Sequence, residues 1–180
     1  MINTDLHDIK NHKKTLKECS YDKAHDEHMC TSELRVIDFD GVKSSYLNRQ
    51  GFSEEKARSV DVLASGNNQL TYLIEFKNGN IKNERHGVQL KIRDSLLMLC
   101  DICKCRISDT RENAVFVLVY NEERTDLNWE TKRALGLATL KGTAVPYLEL
   151  DKIEGFLVKK AYMLTQKQFE EKMLPELKSM

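Results

Sequence analysis

The sequence predicts a mixed α/β domain, a central sheet flanked by helices, on three observations. Residues 114–120 (AVFVLVY) are continuously apolar, as in a strand buried on both faces. Two strand-like runs, 58–64 and 70–77, flank the turn-forming stretch Ser65-Gly66-Asn67-Asn68-Gln69, which makes them a hairpin. Between the hairpin and the apolar strand the period changes: Ile92, Leu96, Leu99 and Cys103 form a helical stripe over 88–103.

The other elements follow in order. Leu6, Ile9, Leu16 and Cys19 stand at loosely helical spacing and predict a short helix over 4–19. Residues 21–29 are polar and His-rich, as in a loop, and 34–42 (LRVIDFDGV) mixes β-branched and alternating residues as a strand does. Past the apolar strand, 127–140 reads as a helix and 145–150 as a further strand. Thr165-x-x-Gln168 is a capping box opening a last helix with Phe169 and Met173. The order is α-β-β-β-α-β-α-β-α. With 180 residues, 41% of them hydrophobic, the expectation is one domain over 1–180, with a core about 34–120 and an αβα extension about 121–180.

Composition narrows the function classes. Twenty-eight basic residues balance 28 acidic ones, which argues against a tail-driven nucleic-acid binder. Apolar runs such as 95–100 are too short to cross a bilayer, and the first residues lack the basic and apolar segments of a signal peptide. Five cysteines, an odd number without disulfide-like spacing, point to reduced thiols. The expectation is a soluble cytoplasmic protein with no membrane partner.

The hairpin carries the chemistry. Centred on Asn68, its register sets Gly66 opposite Leu70 and Asp61 opposite Glu75. Directly opposed Cβ atoms lie about 4.5–5.5 Å apart, close enough for two carboxylates to hold one ion. Lys77 shares the face of Glu75, while Val60, Val62, Ile74 and Phe76 point the other way. Opposed like charges are unfavourable unless compensated. A divalent cation with oxygen ligands compensates them, and so does a salt bridge from Lys77 on a solvated face.

Asp61 followed by Glu75-Phe76-Lys77 resembles the PD-(D/E)xK nuclease superfamily, with its restriction-endonuclease-like αβββαβ core. The resemblance covers about 34–120, and Val60 replaces the proline that often precedes the first acid. It implies Asp61, Glu75, Lys77 and Gln89 as catalytic residues. It also implies Mg²⁺ (with Mn²⁺ as substitute) held by Asp61, Glu75 and the carbonyl of Phe76. The further acid that such proteins often carry on the first helix is not fixed among Asp8, Glu18 and Glu33. Gln89 reads equally as a helix-start residue satisfying local backbone. The implied function is a metal-dependent phosphodiesterase cutting DNA or RNA, in genome defence or DNA repair, as a homodimer or within a larger complex. The alternative is a catalytically silent module of the same fold that binds a protein or nucleic-acid partner.

Other features are weaker. From Lys77 to Arg106 the net charge is +4, seven basic residues against three acidic, and Lys82, Arg85, Lys91 and Arg93 are its candidate nucleic-acid contacts. An ordinary solvated helix face accounts for the same charges. Cys100-x-x-Cys103-x-Cys105 has part of a zinc pattern, but it sits in an apolar helix with no second pair, as small buried hydrophobes do. His25, His28 and Cys30 cluster in the polar loop, and His86 stands near the hairpin as a proton shuttle or a surface residue. Trp129 reads as core or interface.

Overall fold

A computed structural model describes residues 2, 7–141 and 146–179. In chain order the elements are α1 (His7–Lys10), β1 (Lys13–Thr15), α2 (Leu16–Cys19), β2 (Tyr21–Asp22), β3 (Glu27–His28), β4 (Arg35–Asp38) and α3 (Phe39–Arg49). Then come β5 (Val62–Gly66), β6 (Thr71–Lys77), α4 (Arg85–Cys103), α5 (Ile107–Asn113), β7 (Ala114–Tyr120), α6 (Trp129–Lys141), β8 (Lys160–Thr165), α7 (Gln166–Gln168) and β9 (Leu177–Lys178).

The main sheet runs β1-β4-β5-β6-β7-β8, with β9 added to β5. Its first half is antiparallel, and β6, β7 and β8 are parallel, joined by crossovers that contain helices. β7 is buried at every position, so the apolar run 114–120 is a central strand. Alternation along the strands makes two apolar layers. Leu63, Leu73, Phe116 and Leu118 meet α3 and α4 residues such as Val42, Ile92 and Leu96 on one face. Val62, Ile74, Phe76 and Val117 meet Leu16, Phe169 and Met173 on the other.

Several expectations change. The helix expected over 4–19, whose residues 4–6 lie outside the described ones, is interrupted by β1, which pairs Lys13 with Ile37. Thr15 then restarts the chain as the capping box of α2. The expected loop 21–29 contains the β2–β3 ladder, Tyr21 with His28. The strand expected over 34–42 stops at Asp38, because Phe39, Val42 and Leu47 bury one helical face of α3. Val145 lies outside the described residues, and Tyr147–Lys152 is a 3₁₀ turn rather than a strand, with Leu148 and Glu149 at φ 56° and 58°. The strand that follows α6 is instead β8, and α5 is an additional helix. The Thr165 capping box is present: its hydroxyl accepts the Gln168 N–H at 3.2 Å. The helix it opens passes at once into a π turn, Phe169–Met173, which buries Phe169. Trp129 is 66% exposed and belongs to neither apolar layer.

Candidate functional site

The β5–β6 ladder pairs Val62 with Ile74, and the Gly66 N–H donates to the Leu70 carbonyl at 2.8 Å, the register expected from the turn. Continued by one residue it sets Asp61 across from Glu75. The ladder ends at Val62, however, and the chain bends at Asp61. That bend turns Val60 into the α3/α4 layer, not away from the acids as strict alternation predicts. It also lets Asp61 Oδ2 accept the Phe76 N–H at 2.7 Å. The Lys77 carbonyl leaves the opposite edge of β6, accepting the Asn121 N–H at 3.0 Å. By the alternation of an extended strand, the Phe76 carbonyl therefore lies on the Asp61 edge.

Glu75 stands on the face of β6 that α4 covers, and its side chain is only 1% exposed. Lys91, reaching down from α4, donates to both Glu75 oxygens at 2.7 and 2.9 Å and stands 3.4 Å from Asp61 Oδ1. Lys77 Nζ lies 3.5 Å from Glu75 Oε1 and 2.8 Å from Glu84 Oε2. Burial, with the Asp61 carboxylate second, pushes the Glu75 carboxyl up to about 8, against the pull of Lys91 and Lys77. Burial also raises Asp61, opposed by Lys91 and the Phe76 N–H and helped by Asp40. For Lys91 burial works downward, but Asp61 and Glu75 outweigh it and hold the ammonium above its ordinary 10.5. The lysine is thus held charged, and burial raises both carboxyls of the pair above their ordinary range.

The cluster borders a cleft of about 360 Å³ lined by Asp61, Phe76 and Lys77 together with Tyr21, Asp22 and His25 of the β2–β3 hairpin. That hairpin is fastened to the end of β6. Asn78 Nδ2 donates to Glu27 Oε2 at 3.1 Å, Asn121 Nδ2 donates to Asn78 Oδ1 at 2.7 Å, and Arg124 pairs with Glu27 at 2.9 Å. His25 Nδ1 lies 2.5 Å from Asp22 Oδ2.

The structure brings Asp61, Glu75, Phe76 and Lys77 together. Gln89 is differently engaged: its Nε2 donates to the carbonyls of Leu148 and Glu149, at 3.0 and 3.2 Å, holding the two residues of left-handed conformation that kink the 147–152 segment. Lys91, expected on a nucleic-acid surface, is instead the counter-ion of the two carboxylates. Its position was legible in principle, for it stands three residues after buried Val88 and four before buried Ser95, on the sheet-facing side of α4. Lys82, Arg85 and Arg93 are exposed, and Arg85 pairs with Glu149 at 3.1 Å. Of the three candidate first-helix acids, Glu18 is held in the α2 capping box and Glu33 is 71% exposed beside Lys17. The Asp8 side chain lies outside the described residues. The acid the sequence reading missed is Asp40, in the first turn of α3. It accepts the Ser59 hydroxyl, and its charge acts on both Asp61 and Lys91.

His86 is exposed at the start of α4. Among the described residues, no group of three His, Cys, Asp or Glu side chains is disposed to hold a metal, and no helix is long and apolar enough to cross a membrane. Fold and site define a mixed α/β protein with a buried acid–lysine cluster where its central hairpin opens. No protein-family model, curated protein or solved structure matches the chain.

Proposed function

We propose that the chain is a metal-dependent phosphodiesterase that hydrolyses nucleic acid in the cleft beside Asp61 and Lys77. The observation that carries this reading is the burial of Glu75 next to Asp61, a second carboxylate that lines a cleft. Burying a charged cluster costs several kcal/mol per ion, and apolar residues of similar volume often stabilise a fold better. Perturbed carboxyls of this kind concentrate at functional sites. β4, β5, β6, α4 and β7 follow one another as in the core that the PD-(D/E)xK resemblance implies, with α3 inserted between β4 and β5 and α5 between α4 and β7.

The residues fit a hard cation. Two carboxylates and the Phe76 carbonyl are oxygen donors of the kind Mg²⁺ takes, alongside waters and substrate phosphate. The Lys91 ammonium already draws both carboxylates toward one positive charge. Asp61, Glu75 and Phe76 would hold Mg²⁺ or Mn²⁺, and the ion would supply a Lewis acid for water and phosphoryl oxygen. Lys77, whose ammonium borders the cleft, is placed to offset charge developing on the phosphate and to orient the attacking water. Asp61, fixed through Oδ2 by the Phe76 N–H, keeps Oδ1 toward the cluster.

One observation favours a second reading. Lys91 neutralises both acids from within the chain, as it would in a silent module that only binds a partner. The test is incubation of single- and double-stranded DNA and RNA with the protein and Mn²⁺ or Mg²⁺, together with calorimetric titration of each metal. The expected result is cleavage that needs metal and is lost in Lys77→Ala and Asp61→Asn variants with unchanged circular dichroism. No cleavage of any substrate, with no metal uptake in the presence or absence of nucleic acid, would leave the silent module as the function.

A further inference from the structure

We propose that Cys100 and Cys105 form an oxidisable dithiol that closes to an intramolecular disulfide by exchange with a small disulfide such as oxidised glutathione. The pairing follows from how α4 ends. Lys104 adopts the left-handed conformation (φ 52°, ψ 34°), and the Cys105 N–H donates to the Cys100 carbonyl at 3.1 Å. This is the six-residue closure of a Schellman turn, which brings the side chains at its two ends into contact. Here those side chains are two thiols, with their sulfurs 3.7 Å apart. A disulfide needs sulfurs at about 2.0 Å on backbone positions about 4.4–6.8 Å apart, so side-chain rotation within the turn is the movement required.

All five cysteines are free thiols, and among the described residues no other pair has its sulfurs in contact. Cys103 is the last residue of α4, between Cys100 and Cys105 in the chain, and like Cys105 it packs against the α3/α4 apolar layer. The chemistry is a two-step exchange. The Cys105 thiolate, flanked in sequence by Lys104 and Arg106, attacks one sulfur of the small disulfide and expels a thiolate, leaving a mixed disulfide. The Cys100 sulfur then displaces the second small thiolate. Two protons and two electrons pass from the protein to the small disulfide, which leaves as two thiols. Cys100 takes the second step because burial, then the neighbouring Cys105, pushes its thiol up to about 12. The bond would tie the end of α4 to the start of α5, whose backbone Asp109 caps by accepting the Arg106 N–H at 2.7 Å.

This inference is independent of the proposed nuclease activity. The full chain is equilibrated in glutathione buffers of increasing oxidised fraction and quenched in acid, its free thiols are alkylated after denaturation, and peptides are mapped by mass. The expected product is a monomer lighter by two hydrogens, linked Cys100–Cys105, with Cys19, Cys30 and Cys103 alkylated. Cys103→Ser should keep the link and Cys105→Ser should lose it, both with unchanged circular dichroism. Five alkylated thiols in the most oxidising buffer, a link through Cys103, or a link between two chains would each overturn the assignment.

Discussion

Raising the pH in a chelating buffer is expected to weaken the fold through Glu75. Its carboxyl binds a proton up to about 8 in the folded chain, against an ordinary value of 4.5. Between those values the folded state holds a proton that the unfolded state has released, so stability is fully present below 4.5 and falls as the pH rises toward 8. At about 1.4 kcal/mol per pH unit, the ceiling on the loss is about 5 kcal/mol. Lys91, 2.7 Å away, pulls the carboxyl toward its charged form and limits how far this mechanism runs. Urea unfolding of wild type and Glu75→Gln, repeated across this window, isolates the effect, because the amide keeps the shape of the side chain without its proton. The wild-type stability should fall with pH, and the difference between the two proteins should shrink or reverse as it does so. Parallel curves would mean that Lys91 keeps Glu75 ionised throughout, and the reasoning from burial would be wrong.

Two further outcomes can be measured the same way. Lys91→Met leaves two acids in one low-dielectric site without their counter-ion and should cost about 3–5 kcal/mol in urea unfolding above pH 8, where Glu75 as well is ionised in the wild type. Adding Glu75→Gln should recover part of that loss, and strict additivity of the two changes would argue against the ion pair. Lys104→Gly removes a side chain from a left-handed position at φ 52° and should raise the melting temperature, with a gain of about 0.5–1 kcal/mol. A lower melting temperature would show that the lysine contributes more than its backbone strain costs.

Local signals were legible in the sequence wherever contiguous residues decide the outcome. The apolar run 114–120 became β7 with its predicted bounds, the stripe of Ile92, Leu96 and Leu99 became the buried face of α4, and Ser65 to Gln69 set the hairpin register. Thr165 and Gln168 formed their capping box because its partners are three residues apart. β1 and β8 were not legible, since short strands such as Lys13–Thr15 are decided by the edge they find, here β4. Residues 34–42 carry a strand pattern and a helix start at once, and burial of Phe39 and Val42 resolved them. The same division runs through the site. Asp61, Glu75 and Lys77 share one hairpin, so turn chemistry alone could place them together. Lys91 and Asp40 come from α4 and α3, and which side of a helix meets the carboxylates depends on how that helix packs over the sheet. Pattern along the chain therefore determined the acids and their register. Tertiary packing alone decided which cation neutralises them, because that choice rests on contacts between elements and not on spacing within one.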